Sequence, residues 1–243
     1  TVTTSGTGTM ESVIQNCFSP NDQVVVPIIG NFSERYAKIA EVYGLNVKRV
    51  EFELGETADV SKVMEQVNLD TKGVLLVHNE SSTGVYNDLE AFGNALKDTK
   101  TLLVTDSVSG VGGLEIKMDE WNVDVALTSS QKALMAPPGL GFVCLSDKAW
   151  DAVEKSKYPK FYFDYKKARE SNKTHQTPWT PAIFTIFAVD ESLNMIFEEG
   201  LDNLYCRHKN NAKLVREGIK ELGLSIFPKD ENYSSPTLTC IKA

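Results

Sequence analysis

Histidine, cysteine, basic excess and long apolar runs are what this sequence has little of, and each shortage excludes something. It carries 3 histidines and 4 cysteines in 243 residues. Cys17, Cys144, Cys206 and Cys240 stand far apart without metal-ligand spacing, so neither a zinc site nor a disulfide framework is expected. A reducing, cytoplasmic setting is the default for such a pattern. No apolar stretch approaches the ~20 residues needed to span a bilayer, and the first residues are polar rather than signal-like. The formal net charge is −8 and no basic stripe interrupts it, which argues against nucleic acid or another polyanion as partner. The lysine-rich stretch from Lys155 to Lys173 is broken by Tyr158, Phe161, Tyr162, Phe163 and Tyr165, and reads as a solvated, partly packed connection. No G-x-S-x-G elbow is present, so Ser81 and Ser82 are read as hydrogen-bond donors rather than nucleophiles.

What is there is enough apolar material, 42% of residues, for a full-sized core in one large domain and part of a second. Strand and helix signals alternate. The helical spacing of Met10, Val13, Ile14 and Cys17 follows a Ser-Gly-Thr-Gly-Thr loop. Strands are expected at Gln23–Pro27, Val47–Phe52, Gly73–Val77 and Val123–Thr128, and helices begin near Gly30, Val60 and Leu89. Cys144 lies in a strand-like apolar run and is expected in the core. Regular strand–helix alternation implies parallel crossovers, hence an α/β fold with a mostly parallel mixed sheet between helices. Two long helices, Ala182 to about Glu199 and Asp202–Leu222, precede strands at Leu224–Phe227 and Thr237–Lys242. This change of pattern divides the chain at residue 200, with 1–200 the large domain and 201–243 the start of a small C-terminal α+β domain. Thr1 begins almost on a motif and Ala243 ends in a strand-like run, as in an internal portion of a longer protein.

The polar residues collect at strand ends. Strand Gly73–Val77 is followed by 78-HNESSTGV-85, the strand near residue 104 ends in Asp106, and Val123–Thr128 delivers Ser129, Ser130, Gln131 and Lys132. In an open α/β sheet, groups beyond the carboxyl ends of the strands face the ligand crevice. His78 has the side chain that titrates nearest neutrality, but beside Asn79 and Glu80 it reads as a hydrogen-bonded structural residue. Phe32, at a strand-to-helix junction, reads from spacing alone as core. The loop Ser5, Gly6, Thr7 before a helix offers free amides, hydroxyls and a positive dipole end to an anion, although the same residues serve as ordinary caps. An amine for a Schiff base at Lys132, a carboxylate for a ring nitrogen at Asp106 and an anion cradle are together what pyridoxal 5'-phosphate requires. A carboxylate beside the pyridine nitrogen favours its protonated form.

The motifs SGTGTME, HNESSTGV, TDSVSGVGG and SSQKALMAPPGLG occur in that order, with Lys132 lying 26 positions after Asp106 and Asp106 25 after Ser81. This set resembles the class V aminotransferases of the fold-type I pyridoxal-phosphate enzymes, within them the alanine–glyoxylate/serine–pyruvate group. The resemblance implies that Lys132 is the Schiff-base lysine and Asp106 the partner of the pyridine nitrogen. It implies further that Ser81 bonds the ring-hydroxyl region, that Ser5, Gly6, Thr7 and Gln131 hold the phosphate, and that Phe32 and Val108 lie on opposite ring faces. Where the group commonly has Trp on the ring, Phe32 keeps the π face and loses the indole N–H. A homodimer is implied, Thr180 reaching the phosphate of the neighbouring subunit. Small amino acids (alanine or serine) and small 2-oxo acids (glyoxylate or pyruvate) are the implied substrates, with no metal. An N-terminal arm and the rest of a small domain, with the arginine that grips the substrate carboxylate, are implied outside these 243 residues.

Other readings stay open at this stage. A 2-aminoethylphosphonate aminotransferase or a cysteine desulfurase-like lyase would keep the cofactor and change the reaction. A non-catalytic α/β binding protein would use Asp106 and Lys132 as a salt bridge beneath a pocket.

Overall fold

The computed structural model describes residues 1–242. In chain order the elements are β1 (Val2–Thr4), α1 (Gly6–Cys17), β2 (Gln23–Ile28), α2 (Asn31–Val42), β3 (Asn46–Glu51), α3 (Val60–Met64), β4 (Thr71–Val77) and a small hairpin of β5 (Asn79–Glu80) and β6 (Val85–Tyr86). There follow α4 (Leu89–Leu96), β7 (Leu102–Asp106), β8 (Val125–Ser129), β9 (Gly139–Leu145), α5 (Asp147–Lys155), α6 (Tyr165–Asn172), α7 (Ile183–Glu199), α8 (Leu201–Glu221), β10 (Ser225–Ile226) and β11 (Ile241–Lys242). Helix starts are chemically marked. Asp59, Asp88, Ser146 and Asp164 accept first-turn amides of α3, α4, α5 and α6 through their side chains.

The main sheet has 7 strands in the order β1-β9-β8-β7-β4-β2-β3. Pairs β3/β2, β2/β4, β4/β7 and β7/β8 are parallel, while β8/β9 and β9/β1 are antiparallel. Period-2 alternation sends the strands' side chains to opposite layers. Val24, Val26, Leu75, Leu102, Val104, Val125 and Leu127 pack with α1, α2, α5 and Tyr165 of α6. Val25, Val74, Leu76 and Leu103 pack with Val63 of α3 and Leu89, Phe92 and Leu96 of α4. After β3 the chain returns across β2 to place β4 on its other side, so the sheet changes direction between β2 and β4. That is where an open α/β sheet leaves a crevice at its carboxyl edge.

The mostly parallel mixed sheet between helices is thus present, with local departures from the sequence reading. A short strand stands before the glycine loop, where the sequence reading assigned no element. Val2–Thr4 pairs with Gly139–Gly141 as an edge strand, because β9 offers it a free backbone edge. The stretch expected to be an irregular connection contains α6, anchored by Tyr165, whose hydroxyl bonds Ser12 at 2.6 Å inside the core. Cys144 is exposed rather than core, since β9 beside the short β1 is covered on one face only. Of the strand expected at Thr237–Lys242, only Ile241–Lys242 pairs, with Ser225–Ile226.

Asp124 sets the sheet's opposite, amino edge. It is 6% exposed; Oδ2 accepts from the Leu103 amide at 2.9 Å and from Lys148 Nζ at 3.0 Å, and Oδ1 accepts from Ser146 Oγ at 2.9 Å. The carboxylate therefore fixes the stagger of β7 against β8 and the exit of β9. Asp124→Ala strands a buried amide and an ammonium, and is expected to lower stability by about 2–3 kcal/mol, read as a shift of the urea midpoint at unchanged slope.

Candidate active site

The parallel ladder places Val77, Asp106 and Leu127 side by side, and two further bonds continue the row: His78 N–H to Asp106 O at 2.8 Å and Ser107 N–H to Leu127 O at 2.8 Å. Everything that follows these residues leaves the sheet at one level. Asp106 is 4% exposed and accepts the Val108 amide on Oδ1 at 2.9 Å. Burial pushes its carboxyl up to about 6, and the Val108 amide and the charges of Arg35 and Lys132 pull against that rise.

Lys132 stands exposed at the tip of the Ser130–Leu140 loop. Ser130 ties that loop at its base: its amide donates to Leu140 O at 3.0 Å and its hydroxyl to Pro137 O at 2.6 Å, while Ala136 N–H returns to Ser130 O at 3.0 Å. The lysine therefore stands exposed on a loop with a fixed base. It makes no salt bridge with Asp106 among the described residues, which removes the ion-pair reading of the two. Gly112 (φ 89°) lets the Ser107–Gly113 loop lie against Lys132's neighbour, because a Cβ there would meet the Ala133 backbone at 3.0 Å.

Ser5 caps α1, accepting the Gly8 amide at 3.3 Å, so the first-turn amides of Gly6 and Thr7 have no acceptor within the helix. Gly6 is close against its surroundings: a Cβ would lie 2.9 Å from Val108 Cγ2 and 3.3 Å from Ser129 Oγ. Ser129 Oγ and Gln131 Oε1 are buried without a hydrogen-bond partner, as are Asn79 Oδ1 and Thr105 Oγ1. Val108 thus lies under the start of α1. Ser81 Oγ donates to Ser109 Oγ at 2.9 Å, and Ser109 Oγ to Asn79 O at 2.8 Å.

Phe32 is half-buried rather than core, held in the crevice by Glu80. The Glu80 carboxylate, 0% exposed, accepts the amides of Phe32 (3.0 Å) and Ser33 (2.9 Å) and the hydroxyl of Ser82 (2.6 Å). It caps α2 from across the sheet, replacing the side chain that Gly30 lacks. Arg35 lies one turn further, its guanidinium 4.8 Å from the centroid of the Phe32 ring and its Nη1 donating to Thr7 Oγ1 at 3.2 Å. His78 is structural. Its Nδ1 bonds Ser107 Oγ at 2.7 Å and burial pushes the imidazole down to about 3, leaving it neutral at ordinary pH.

Ser5, Gly6, Thr7, Phe32, Ser81, Asp106, Val108, Gln131 and Lys132 are therefore gathered around one edge of the sheet. Thr180 does not join them. It is exposed beside Trp179, in a cleft of about 200 Å³ shared with Thr1–Thr3, Leu140 and Tyr162. Sequence reasoning passed over Glu80, Ser129 and Arg35. Glu80 carried one signal, an acidic residue at a strand end with an uncapped glycine before the neighbouring helix.

The two buried titratable groups act on stability with opposite sign. Between pH 3.8 and about 6 the unfolded chain loses the Asp106 proton that the folded one keeps, so stability falls as pH rises. Between about 3 and 6.5 the unfolded chain binds a proton that buried His78 refuses, so stability rises. The slopes oppose, and the difference between Asp106→Asn and the unaltered protein isolates the first. In ligand-free protein that difference is expected to grow in favour of Asp106→Asn by on the order of 3 kcal/mol from pH 4 to above pH 6, read from thermal melts.

The family model described as Aminotransferase class-V matches residues 1–242. The soluble hydrogenase 42 kDa subunit of Anabaena cylindrica is 37% identical over 242 residues, which cover 98% of this chain and 63% of that protein. The serine–glyoxylate aminotransferase of Arabidopsis thaliana is 39% identical over 245 residues, covering 98% and 61%. The alanine–glyoxylate aminotransferase of Nostoc sp. superposes with a TM-score of 0.94 at 30% identity, over 100% of this chain and 65% of that one. The chain spans less than two thirds of the length of these proteins. The lysine loop, the buried carboxylate and the capped glycine cradle sit within a match that runs from residue 1 to residue 242, and the chain belongs to the class V aminotransferases.

Proposed function

We propose that this chain forms the cofactor-binding core of a pyridoxal-phosphate aminotransferase that moves an amino group from a small amino acid to a small 2-oxo acid. The observation that carries the reading is the pairing of a buried carboxylate, Asp106, with a cradle whose buried hydroxyl is unused. Ser129 Oγ lacks a partner beside Gly6, which leaves no room for a Cβ. Those residues fit a phosphate at the start of α1. Asp106 fits a cationic ring nitrogen, whose charge would favour the ionised carboxylate that burial alone disfavours.

Bound there, pyridoxal phosphate supplies a carbonyl that condenses with amines and a ring that accepts electrons from the substrate α-carbon. The chain supplies the rest. Gly6, Thr7 and Gln131 fix one end of the site and Asp106 the other, while Phe32 and Val108 set the plane between them. Lys132, on its tied loop, would hold the cofactor through its amine and, once released, would be placed to move a proton at Nζ. Ser81, hydrogen-bonded to Ser109, would offer its hydroxyl to the cofactor's ring-hydroxyl region.

Relatives support the substrate class. They include serine–glyoxylate, L-aspartate–glyoxylate and (S)-ureidoglycine–glyoxylate aminotransferases, so the donor varies while glyoxylate recurs. We take glyoxylate as the acceptor and alanine or serine as the donor. The same reading includes a small domain beginning near Leu201 and a cytoplasmic setting. The latter rests on four cysteines that form no disulfide; loss of activity from a cytosolic fraction would remove it.

A homodimer belongs to the reading too. Beside Thr180, α7 exposes Phe184 (89%) and Phe187 (66%), an apolar face suited to a second copy. Phe184→Glu with Phe187→Glu is expected to shift the sedimentation coefficient from dimer to monomer, and an unchanged coefficient removes this face from the interface.

The decisive experiment is borohydride reduction with pyridoxal phosphate, followed by peptide mapping. The expected outcome is a single stable label on Lys132, none in Lys132→Ala, and more than ~10³-fold loss of alanine–glyoxylate transamination in that variant. A label elsewhere, or a Lys132→Ala protein that keeps its rate, overturns the assignment.

A further inference from the structure

The residues assigned to the phosphate cradle share one property: Ser5, Gly6, Thr7 and Gln131 offer neutral donors only. A phosphate dianion held by neutral groups against a buried sheet edge is costly without a cation nearby. Two features of the cradle bear on this. Ser129 Oγ, on a residue 0% exposed, has no partner and lies 3.3 Å from the position a Gly6 Cβ would take, so it faces the start of α1 from beneath. From the open side, Arg35 reaches the same first turn through Nη1, which donates to Thr7 Oγ1 at 3.2 Å.

Among the described residues Arg35 and Arg169 are the two arginines without a carboxylate partner, and Arg169 lies over the Trp150 ring, 4.4 Å from its centroid. Arg49 pairs with Glu34 and Glu41, Arg207 with Glu199 and Arg216 with Glu231. Arg35 pairs with no carboxylate among the described residues. Its guanidinium instead lies over the Phe32 ring, 4.8 Å from the centroid. The acid that would be its natural partner, Glu80, is taken up by the amides of Phe32 and Ser33 at the start of the same helix. The guanidinium thus has its remaining N–H groups free at the rim of the cradle.

We propose that Arg35 is the cation of the phosphate site, bonding the phosphate oxygens beside Thr7 while Ser129 donates from below. This rests on the pyridoxal-phosphate reading above. Glu80 then acts one step back as a positioning residue, since its capping of α2 aims the turn that carries both Phe32 and Arg35. A guanidinium at this rim could equally meet a substrate carboxylate, and the experiment separates the two anions.

In the full chain freed of cofactor, the dissociation constants of pyridoxal phosphate and of pyridoxal, which has no phosphate, are measured by quenching of tryptophan fluorescence. The proteins compared are the unaltered one, Arg35→Met, which keeps an unbranched apolar stem, Arg35→Lys and Ser129→Ala. Arg35→Met is expected to weaken pyridoxal phosphate by about tenfold or more and to leave pyridoxal within about twofold, Arg35→Lys to recover most of the loss, and Ser129→Ala to lose phosphate discrimination in the same way. Salt is expected to weaken pyridoxal phosphate far more than pyridoxal in the unaltered protein and equally in Arg35→Met. Equal losses for both ligands in Arg35→Met would reduce Arg35 to a support for the Phe32 ring. A raised KM for the amino acid with unchanged cofactor affinity would assign it to the substrate carboxylate. Either result overturns the proposal. If Arg35→Met does not fold by circular dichroism, the salt comparison in the unaltered protein decides, a phosphate affinity insensitive to salt counting against a cation in the cradle. An unaltered protein that binds neither ligand would instead sink the cofactor reading itself.

Discussion

The hydrogen-bonded row that aligns Val77, Asp106 and Leu127 is the constraint on which the rest of the crevice depends. Parallel strands in fixed register must end at matched heights, so the segments they release at His78, Ser107 and Ser130 start from one edge. A slip of a single residue would turn Asp106 from the crevice into a helical layer, because strand side chains alternate faces. Asp124 holds the register at the far edge, where its carboxylate joins the start of β7 to the segments flanking β8 and β9. The site is thus specified from both ends of the same strands.

Three acidic residues are buried in the sheet's immediate surroundings, and each is accommodated differently. Asp124 has an ammonium and an amide as partners. Glu80 has a helix N-terminus, whose amides and dipole take the place of a countercharge. Asp106 has a single amide, and its carboxyl is accordingly pushed up to about 6 by burial. The under-satisfied member is the one that points at the crevice. A cation supplied from outside the chain would complete it, which is why we read it as a contact made for a ligand. His78 shows the converse case, a titratable group that burial keeps neutral so that it can serve as a spacer between Ser107 and the β4 end.

Much of this was legible from residue order. Strand ends rich in polar residues, the glycine loop before α1 and the Ser-Gln-Lys-Ala run located the crevice, and the alternation of strands and helices gave the mixed sheet. Contacts across the sheet were not legible. Glu80 caps a helix that begins 50 positions earlier in sequence, near Gly30, and no local pattern announces an acceptor arriving from another strand. Cys144 read as core because its run is apolar, yet exposure is decided by whether a layer covers that face of β9. Val2–Thr4 drew no assignment because a strand of three residues has too few positions to show period 2.

The sequence by itself therefore determined the α/β class, the identity of Lys132 and Asp106 as chemically distinct strand-end groups, and an anion-suited loop at Ser5–Thr7. These are properties of residue type and local spacing, which the chain carries wherever it goes. Only the tertiary structure decided that the Ser129 hydroxyl remains unused, that Phe32 is held in the crevice instead of the core, and that Arg35 stands without a carboxylate over the first turn of α1. Each of those depends on what the other strands and helices bring to the same point. Burial and pairing are set by neighbours in space, and neighbours in space are what a linear order of residues leaves open.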